Sequence, residues 1–259
     1  MNGSLLRREA KLSTARHTPT SVAGGVNGRR TGLALLAIVV LLAAVSADVY
    51  AQAAAQRHRR LFPPENLGML EAPDRDAWQK PDQIMDALNI ADGSRVADIG
   101  AGSGWFTIHL AQRVQQKGIV YAQDVQPEML LAIRRRVQRE GLRNVDVRLG
   151  TEASPNLPQD ALDAVLVVDT YPEVDIDERV TFLKNLAGAL KKNGRLGIVN
   201  YKPGHGGPGP DEGRVESASV EADARAAGLR VVARENLPYQ YLLVLARQEV
   251  RSDSAKKSR

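Results

Sequence analysis

Cysteine is absent from the 259 residues. That excludes disulfides, thiolate metal sites, a cysteine nucleophile and a lipidated cysteine anchor. Histidine is scarce, and His17, His58, His109 and His205 are too scattered to suggest a histidine-rich metal site; no metal is expected. Apolar residues at 43% and charged residues at 25% are ordinary globular usage, which excludes a wholly disordered, collagen-like or polytopic membrane chain. Excess positive charge is also missing where a polyanion binder would need it. Residues 1–72 carry nine Lys/Arg against four Asp/Glu, residues 251–259 carry four against one, and residues 73–250 carry 22 against 25. The overall charge of +5 therefore belongs to the flanks, and the body is net −3. A nucleic-acid binder places its cations on the folded surface that tracks phosphates, so no nucleic-acid partner is expected.

The front of the chain divides by composition. Residues 1–30 are rich in Ser, Thr, Gly, Asn and Arg without an apolar period and read as a disordered basic leader. Residues 31–51 read as a signal peptide or membrane anchor. Arg29 and Arg30 precede an uncharged run from Thr31 to Ala47 that ends in a small-residue Val45-Ser46-Ala47 site, the pattern of a secretory signal. Seventeen uncharged residues are also near the lower limit for spanning a bilayer, which keeps an uncleaved anchor through residues 31–49 as the alternative. The positive residues before the run place the N-terminus in the cytoplasm and the body outside. The expected location is the bacterial periplasm or the outer face of the inner membrane; a start at Met69 would instead leave the protein cytoplasmic. Residues 52–72, with Pro63-Pro64, read as a linker, residues 73–250 as the folded domain, and residues 251–259 as a basic disordered tail.

Within the body, strand-like and helix-like segments alternate, and no internal repeat is apparent. Short apolar strands are predicted at Arg95–Ile99, Ile119–Gln123, Val145–Leu149, Ala164–Val168 and Arg195–Val199. Helices are predicted from Pro81, from about Ser103 to Gln116, over Glu128–Arg139, over Asp177–Lys191 with a stop at Asn193-Gly194, and near Val215–Ala227. Two closing strands, Leu229–Arg234 and Tyr239–Ala246, are joined by Asn236-Leu237-Pro238. The pattern predicts an α/β fold: a Rossmann-like, seven-stranded, mostly parallel sheet with an antiparallel C-terminal edge and helices on both faces.

The stretch richest in chemistry is Asp98-Ile-Gly100-Ala-Gly102-Ser-Gly104-Trp105. Three alternate glycines close a strand and open a helix, where backbone N–H groups and a close chain approach can cradle a ligand. A dinucleotide fingerprint requires glycine at position 105. Trp105 stands there, which disfavours a nicotinamide oxidoreductase.

Asp98-x-Gly100-x-Gly102-x-Gly104 resembles motif I of the class I S-adenosylmethionine-dependent methyltransferases. The resemblance extends in family order over roughly residues 75–247. It implies S-adenosyl-L-methionine as donor and Asp98, Gly100, Gly102 and Gly104 as its glycine-loop contacts. It assigns Asp124, 20 residues beyond Gly104, to the ribose hydroxyls with Val125 beside it. Thr151 and Glu152 after strand three would line the adenine site, and Asp169 at the end of strand four would lie beside the donor. Asp169, Tyr171 and His205 are the candidate bases, since the ends of strands four and five border the acceptor side in relatives. Some relatives carry histidines just after the Tyr171 equivalent, where this chain has Pro172-Glu173. The Asn/Asp-Pro-Pro-Tyr signature of amide-nitrogen methyltransferases is absent, and the resemblance leaves the acceptor and the oligomeric state open. Gly204–Pro210 reads equally as a lid or a linker, and Trp78 as a cap residue or a ring packed on the sheet edge. The expected function is methyl transfer to a small molecule. The alternative is an exported or membrane-attached binding protein that keeps the fold without turnover, because the donor is cytosolic while the leader implies export.

Overall fold

The computed structural model describes residues 61–248, apart from 152, 153, 210 and 212. The leader, the signal or anchor run, residues 52–60 of the linker, Glu152 and the basic tail lie outside the described residues. The described residues belong to one compact unit, residues 58–259, and among them no helix is long and apolar enough to cross a membrane.

Two short helices, α1 (Arg75–Gln79) and α2 (Pro81–Ala87), lead into β1 (Arg95–Ile99), α3 (Trp105–Val114) and β2 (Ile119–Asp124). Then come α4 (Pro127–Arg139), β3 (Val145–Leu149), β4 (Leu162–Val168), α5 (Arg179–Ala189) and β5 (Leu190–Tyr201). The chain closes with α6 (Ser217–Ala226), β6 (Leu229–Asn236) and β7 (Gln240–Arg247). The sheet order is β3-β2-β1-β4-β5-β7-β6. β1 to β5 run parallel, while β7 is antiparallel to both β5 and β6. The predicted seven-stranded α/β fold is therefore the observed one, with β7 slotted inside and β6 at the edge.

Strand order reverses between β1 and β4, because β2 and β3 lie to one side and β4 and β5 to the other. Crossovers leave in opposite directions at such a point and open a crevice at the C-terminal strand ends. The sheet that supports it is covered on both faces, and so its central strands read as continuous apolar runs. One layer joins Leu183 and Leu186 of α5 to Val220 and Ala224 of α6. The opposite layer joins Ile84 and Leu88 to Phe106 and Leu110 of α3.

Two segments depart from the expected boundaries. Residues 64–71, expected within a linker, form a 3-10 helix that starts on Pro64, whose fixed φ suits a first helical position. Its end is held by Arg75, whose Nη1 donates to the Leu70 carbonyl at 2.6 Å. Asn193-Gly194 does not stop a helix: α5 ends at Ala189 and pairing with β4 starts at once at Leu190. The register jumps from Leu162↔Leu190 to Ala164↔Arg195, so the turn residues form a bulge inside the strand. Gly194 is required there, since a Cβ would lie 2.8 Å from the Leu162 carbonyl.

Leu88, only 1% exposed, closes α2 onto β5 at Gly197, where an added Cβ would lie 2.9 Å from its Cδ1. Because the strand backbone beneath is already in contact, a truncated Leu88 leaves a space that little can fill. Leu88→Ala is expected to lower unfolding free energy by about 2–5 kcal/mol, measured by urea denaturation. A loss under about 1 kcal/mol would show that α2 does not pack there.

Candidate functional site

The crevice begins with the glycine loop. Gly100, Gly102 and Gly104 all have positive φ, at 66°, 54° and 77°, a region costly for other residues. At Gly100 the requirement is also steric, since a Cβ would lie 2.2 Å from Thr170 Oγ1. Thr170 follows β4 and donates to the carbonyls of Ile99, Gly100 or Val168 at 3.3, 3.4 and 3.0 Å. The two strand ends at the switch point are thus brought to contact distance by the missing side chain.

Asp98 and Asp124 hold this loop from beneath. Asp98 is buried and accepts a hydrogen bond from Thr107 Oγ1 of α3 at 2.7 Å, which ties the strand before the loop to the helix after it. Asp124 is also buried; its Oδ2 accepts from the Gly102 amide at 2.9 Å and its Oδ1 from the Gln126 amide at 3.0 Å. The Val125 amide bonds the same carboxylate, so three backbone amides fix its orientation. A carboxylate has about four acceptor sites, which leaves capacity for a ligand. Two acceptors on one rigid carboxylate suit the vicinal hydroxyls of a ribose, and the glycine cradle suits the close approach of the rest of a nucleoside donor. These residues fit S-adenosylmethionine. Val125 follows Asp124 directly. Gly150 donates to the Asp124 carbonyl at 3.0 Å, which places Thr151 one residue from this strand end. Thr151 is exposed in a turn closed by the Ser154 amide on its Oγ1 at 3.0 Å.

Residues 62–79 cover the loop. Gln126 Nε2 donates to the Phe62 carbonyl, Arg136 Nη1 pairs with Glu71 at 2.9 Å, and a Cβ at Gly102 would lie 3.1 Å from Leu70 Cδ1. From α1, the Arg75 guanidinium reaches inward and lies 4.3 Å from the Trp105 ring centroid. Its charge acts on Asp98 and Asp169, and it could hold a carboxylate of a ligand. Arg75 Nε donates to Gln79 Oε1, Gln79 Nε2 to Gln240 Oε1 at 3.0 Å, and Gln240 Nε2 to both Asp169 oxygens at 2.9 and 2.7 Å. Every donor in this series points toward Asp169. Trp78 faces Tyr201 and Tyr239, with ring centroids 6.0 and 6.1 Å apart.

Asp169 occupies a left-handed backbone position at φ 55° and is half-buried. Loss of water raises its pKa to about 7 against the pull of Arg75 and the amide of Gln240. Glu173, also half-buried, is pushed to about 8 by burial and then by Asp124 and Asp169. The other candidate bases lie apart. Tyr171 is fully buried, and its hydroxyl donates to Asp223 of α6, with Arg179 over its ring. His205 is exposed, and its Nδ1–H donates to the Pro203 carbonyl at 2.8 Å. The crevice therefore brings together Asp98, Gly100, Gly102, Gly104, Asp124, Val125 and Asp169, but neither Tyr171 nor His205.

Arg75, Gln79 and Gln240 were not legible as site residues. Their neighbours Trp78 and Tyr239 flank the same crevice, and the Trp78-Gln79-Lys80-Pro81 stretch was the one available signal. The loop from Gly204 to Gly209 is fastened by Arg214, which donates to the carbonyls of Lys202, Gly206 and Gly209. Gly207 lies against Tyr239, where a Cβ would come within 2.6 Å of the ring.

The profile of the family described as "Methyltransferase domain" matches residues 96–194. A protein-L-isoaspartate O-methyltransferase from Methanococcoides burtonii is 30% identical over 49% of this chain and 68% of its own. The aklanonic acid methyltransferase of a Streptomyces species is 28% identical over 46% and 53%. The crystal structure of a SAM-dependent methyltransferase from Aquifex aeolicus matches 71% of this chain and 98% of its own, at 28% identity and a TM-score of 0.67. The chain spans about half the length of most curated relatives it matches.

Burial raises the Asp98 pKa from 3.8 to about 6, with Thr107 and Arg75 opposing. A raised acid favours folding while it is protonated, so this contribution is present below pH 4 and is lost as pH rises through 6. Asp98→Asn keeps an acceptor for Thr107 and removes the charge. Urea unfolding between pH 4 and 8 is expected to show the variant gaining on wild type as pH rises, by up to about 3 kcal/mol. Parallel pH profiles would show that Asp98 is not withdrawn from water.

Proposed function

This chain belongs to the class I S-adenosylmethionine-dependent methyltransferases, and from that premise we propose that it transfers a methyl group to a small-molecule acceptor. The observation that carries the reading is Asp124. Its buried carboxylate is fixed by backbone amides, one of them that of Gly102 in the glycine cradle, at the end of β2. When bound, the donor supplies a methyl group already activated by its sulfonium charge. What remains for the protein is placement of the two reactants and exclusion of water. The glycine loop and Asp124 bind and orient, while residues 62–79 roof the cradle and keep water out. Asp169 stands at the acceptor side with its oxygens fixed by Gln240. A carboxylate that takes up a proton near pH 7 is matched to accept one from an oxygen or nitrogen acceptor at neutral pH.

A small acceptor is favoured by the Streptomyces relative, which is named for a small-molecule substrate. The net charge of −3 on residues 73–250 speaks against a nucleic acid. The uncharged run from Thr31 to Ala47 supports placement of the body outside the cytoplasmic membrane.

Calorimetric titration tests the donor site directly. S-adenosylhomocysteine is expected to bind and NAD not to bind. Asp124→Ala is expected to weaken S-adenosylhomocysteine by about 10- to 100-fold, the effect of losing hydrogen bonds to a charged group at roughly 1.5–3 kcal/mol. Undiminished affinity in a folded variant, or NAD binding in its place, would contradict the assignment.

A further inference from the structure

The end of the sheet away from the crevice carries a cavity of about 430 Å³, a size common among small-ligand sites. Its lining holds four cations, Lys192, Arg195, Arg230 and Arg247, and no acid among the described residues. Tyr201 ends β5 on the crevice side, and Arg195 lies roughly 20 Å back along that strand. The cavity is therefore separate from the donor crevice, and its function does not depend on the methyltransferase reading.

Sheet register shapes the cavity. Leu196 pairs with Leu245, so Arg195 stands one row further on beside Ala246, and Ala246 pairs with Arg230 on its other side. Residues in one row share a face, and neighbouring strands are about 4.8 Å apart. Two arginines thus flank a methyl group too small to fill the space between them. The bulge in β5 supplies a further wall, since its extra residues bring Lys192 and Asn193 into the lining.

The cations differ in what already holds them. Arg247 is fixed, with Nε donating to the Ala187 carbonyl at 2.7 Å and Nη2 to Asp160 at 2.6 Å. Arg195 Nη1 donates to the carbonyls of Asn193 and Gly194 at 2.9 and 3.3 Å. Lys191, next along the bulge, is paired with Asp163 at 2.7 Å. Among the described residues, no ion pair or hydrogen bond engages the side chains of Lys192 or Arg230, and no acid pairs with Arg195. Gathered like charges repel, and a planar guanidinium matches the oxygens of a phosphate. A phosphomonoester brings about −1.5 to −2 charge at neutral pH and three acceptor oxygens. Three unpaired cations around one small space suit that group better than a singly charged carboxylate. A compact cluster also lacks the extended basic stripe that tracks a nucleic-acid backbone. We infer that this cavity is a binding site for a phosphomonoester, carried by a free small molecule or by a lipid headgroup.

Calorimetry on the full chain in a phosphate-free buffer tests this with two probes. Glycerol 3-phosphate presents the group free, and dihexanoyl phosphatidic acid presents it on a lipid. Saturable binding of at least one is expected. Similar affinities identify a free phosphomonoester as sufficient, whereas a clear preference for phosphatidic acid identifies the lipid headgroup. In the double variant Lys192→Gln, Arg230→Gln, affinity for the bound probe is expected to fall by tenfold or more. Both side chains are exposed, so the fold should survive, as an unchanged thermal unfolding midpoint would show. Failure of wild type to bind either probe would overturn the inference. So would undiminished affinity in the double variant, which would place the anion on the basic ends of the chain instead.

Discussion

The side-chain amide of Gln240 donates to both oxygens of the Asp169 carboxylate, and the geometry of the crevice hangs on this contact. Gln240 opens β7, the strand inserted antiparallel beside β5, while Asp169 ends β4 in a left-handed conformation. Gln79 then carries the chain of hydrogen bonds to α1, and Arg75 ends it over Trp105. Three parts of the sequence are joined in this way, and each amide has both its donor and its acceptor in use. A hydrogen bond to a charged group contributes about 1.5–3 kcal/mol, and an orphaned buried partner costs a similar amount. Removing any link therefore loosens more than one contact. The roof over the glycine loop depends on the same chain, since Arg75 also holds the Leu70 carbonyl at the end of the 3-10 helix.

Electrostatics give the crevice its character. Asp98, Asp124, Asp169 and Glu173 all have raised pKa values, each chiefly because burial disfavours the charged form. Hydrogen bonds oppose the rise at Asp98, Asp124 and Asp169; none does so at Glu173. The protein keeps acids in a place where they are costly, with one arginine directed at two of them. Such an arrangement is unfavourable for an empty site and favourable for a ligand that carries positive charge. A cationic methyl donor meets that condition.

Much of the crevice was legible because its signals are local. Alternate glycines after a short apolar strand specify a turn that other residues avoid, and the acid 20 residues beyond Gly104 falls at the next strand end. The sheet followed from the alternation of strand and helix, since the central strands β1, β2 and β4 are short apolar runs buried on both faces. Long-range pairings were illegible. Gln79 and Gln240 are 161 positions apart, and neither residue type announces a site. Glu173 was visible only as a departure from histidine. Tyr171 looked like a base because it follows β4, but the backbone turn there directs its hydroxyl to Asp223 on the other side of the sheet. The bulge at Asn193-Gly194 was hidden because a helix stop and a strand bulge use the same residues.

The claim that one polar chain holds the roof to the site is tested most directly by amide hydrogen exchange across residues 64–79. Wild type is to be compared with Gln240→Leu at a pH where both are folded. The account expects exchange over α1 and the preceding 3-10 helix to accelerate by tenfold or more in the variant, as opening this segment becomes easier by about 1.4 kcal/mol or more. Strands β1 and β4 should remain protected. Unchanged exchange over residues 64–79 in a folded Gln240→Leu protein would contradict it.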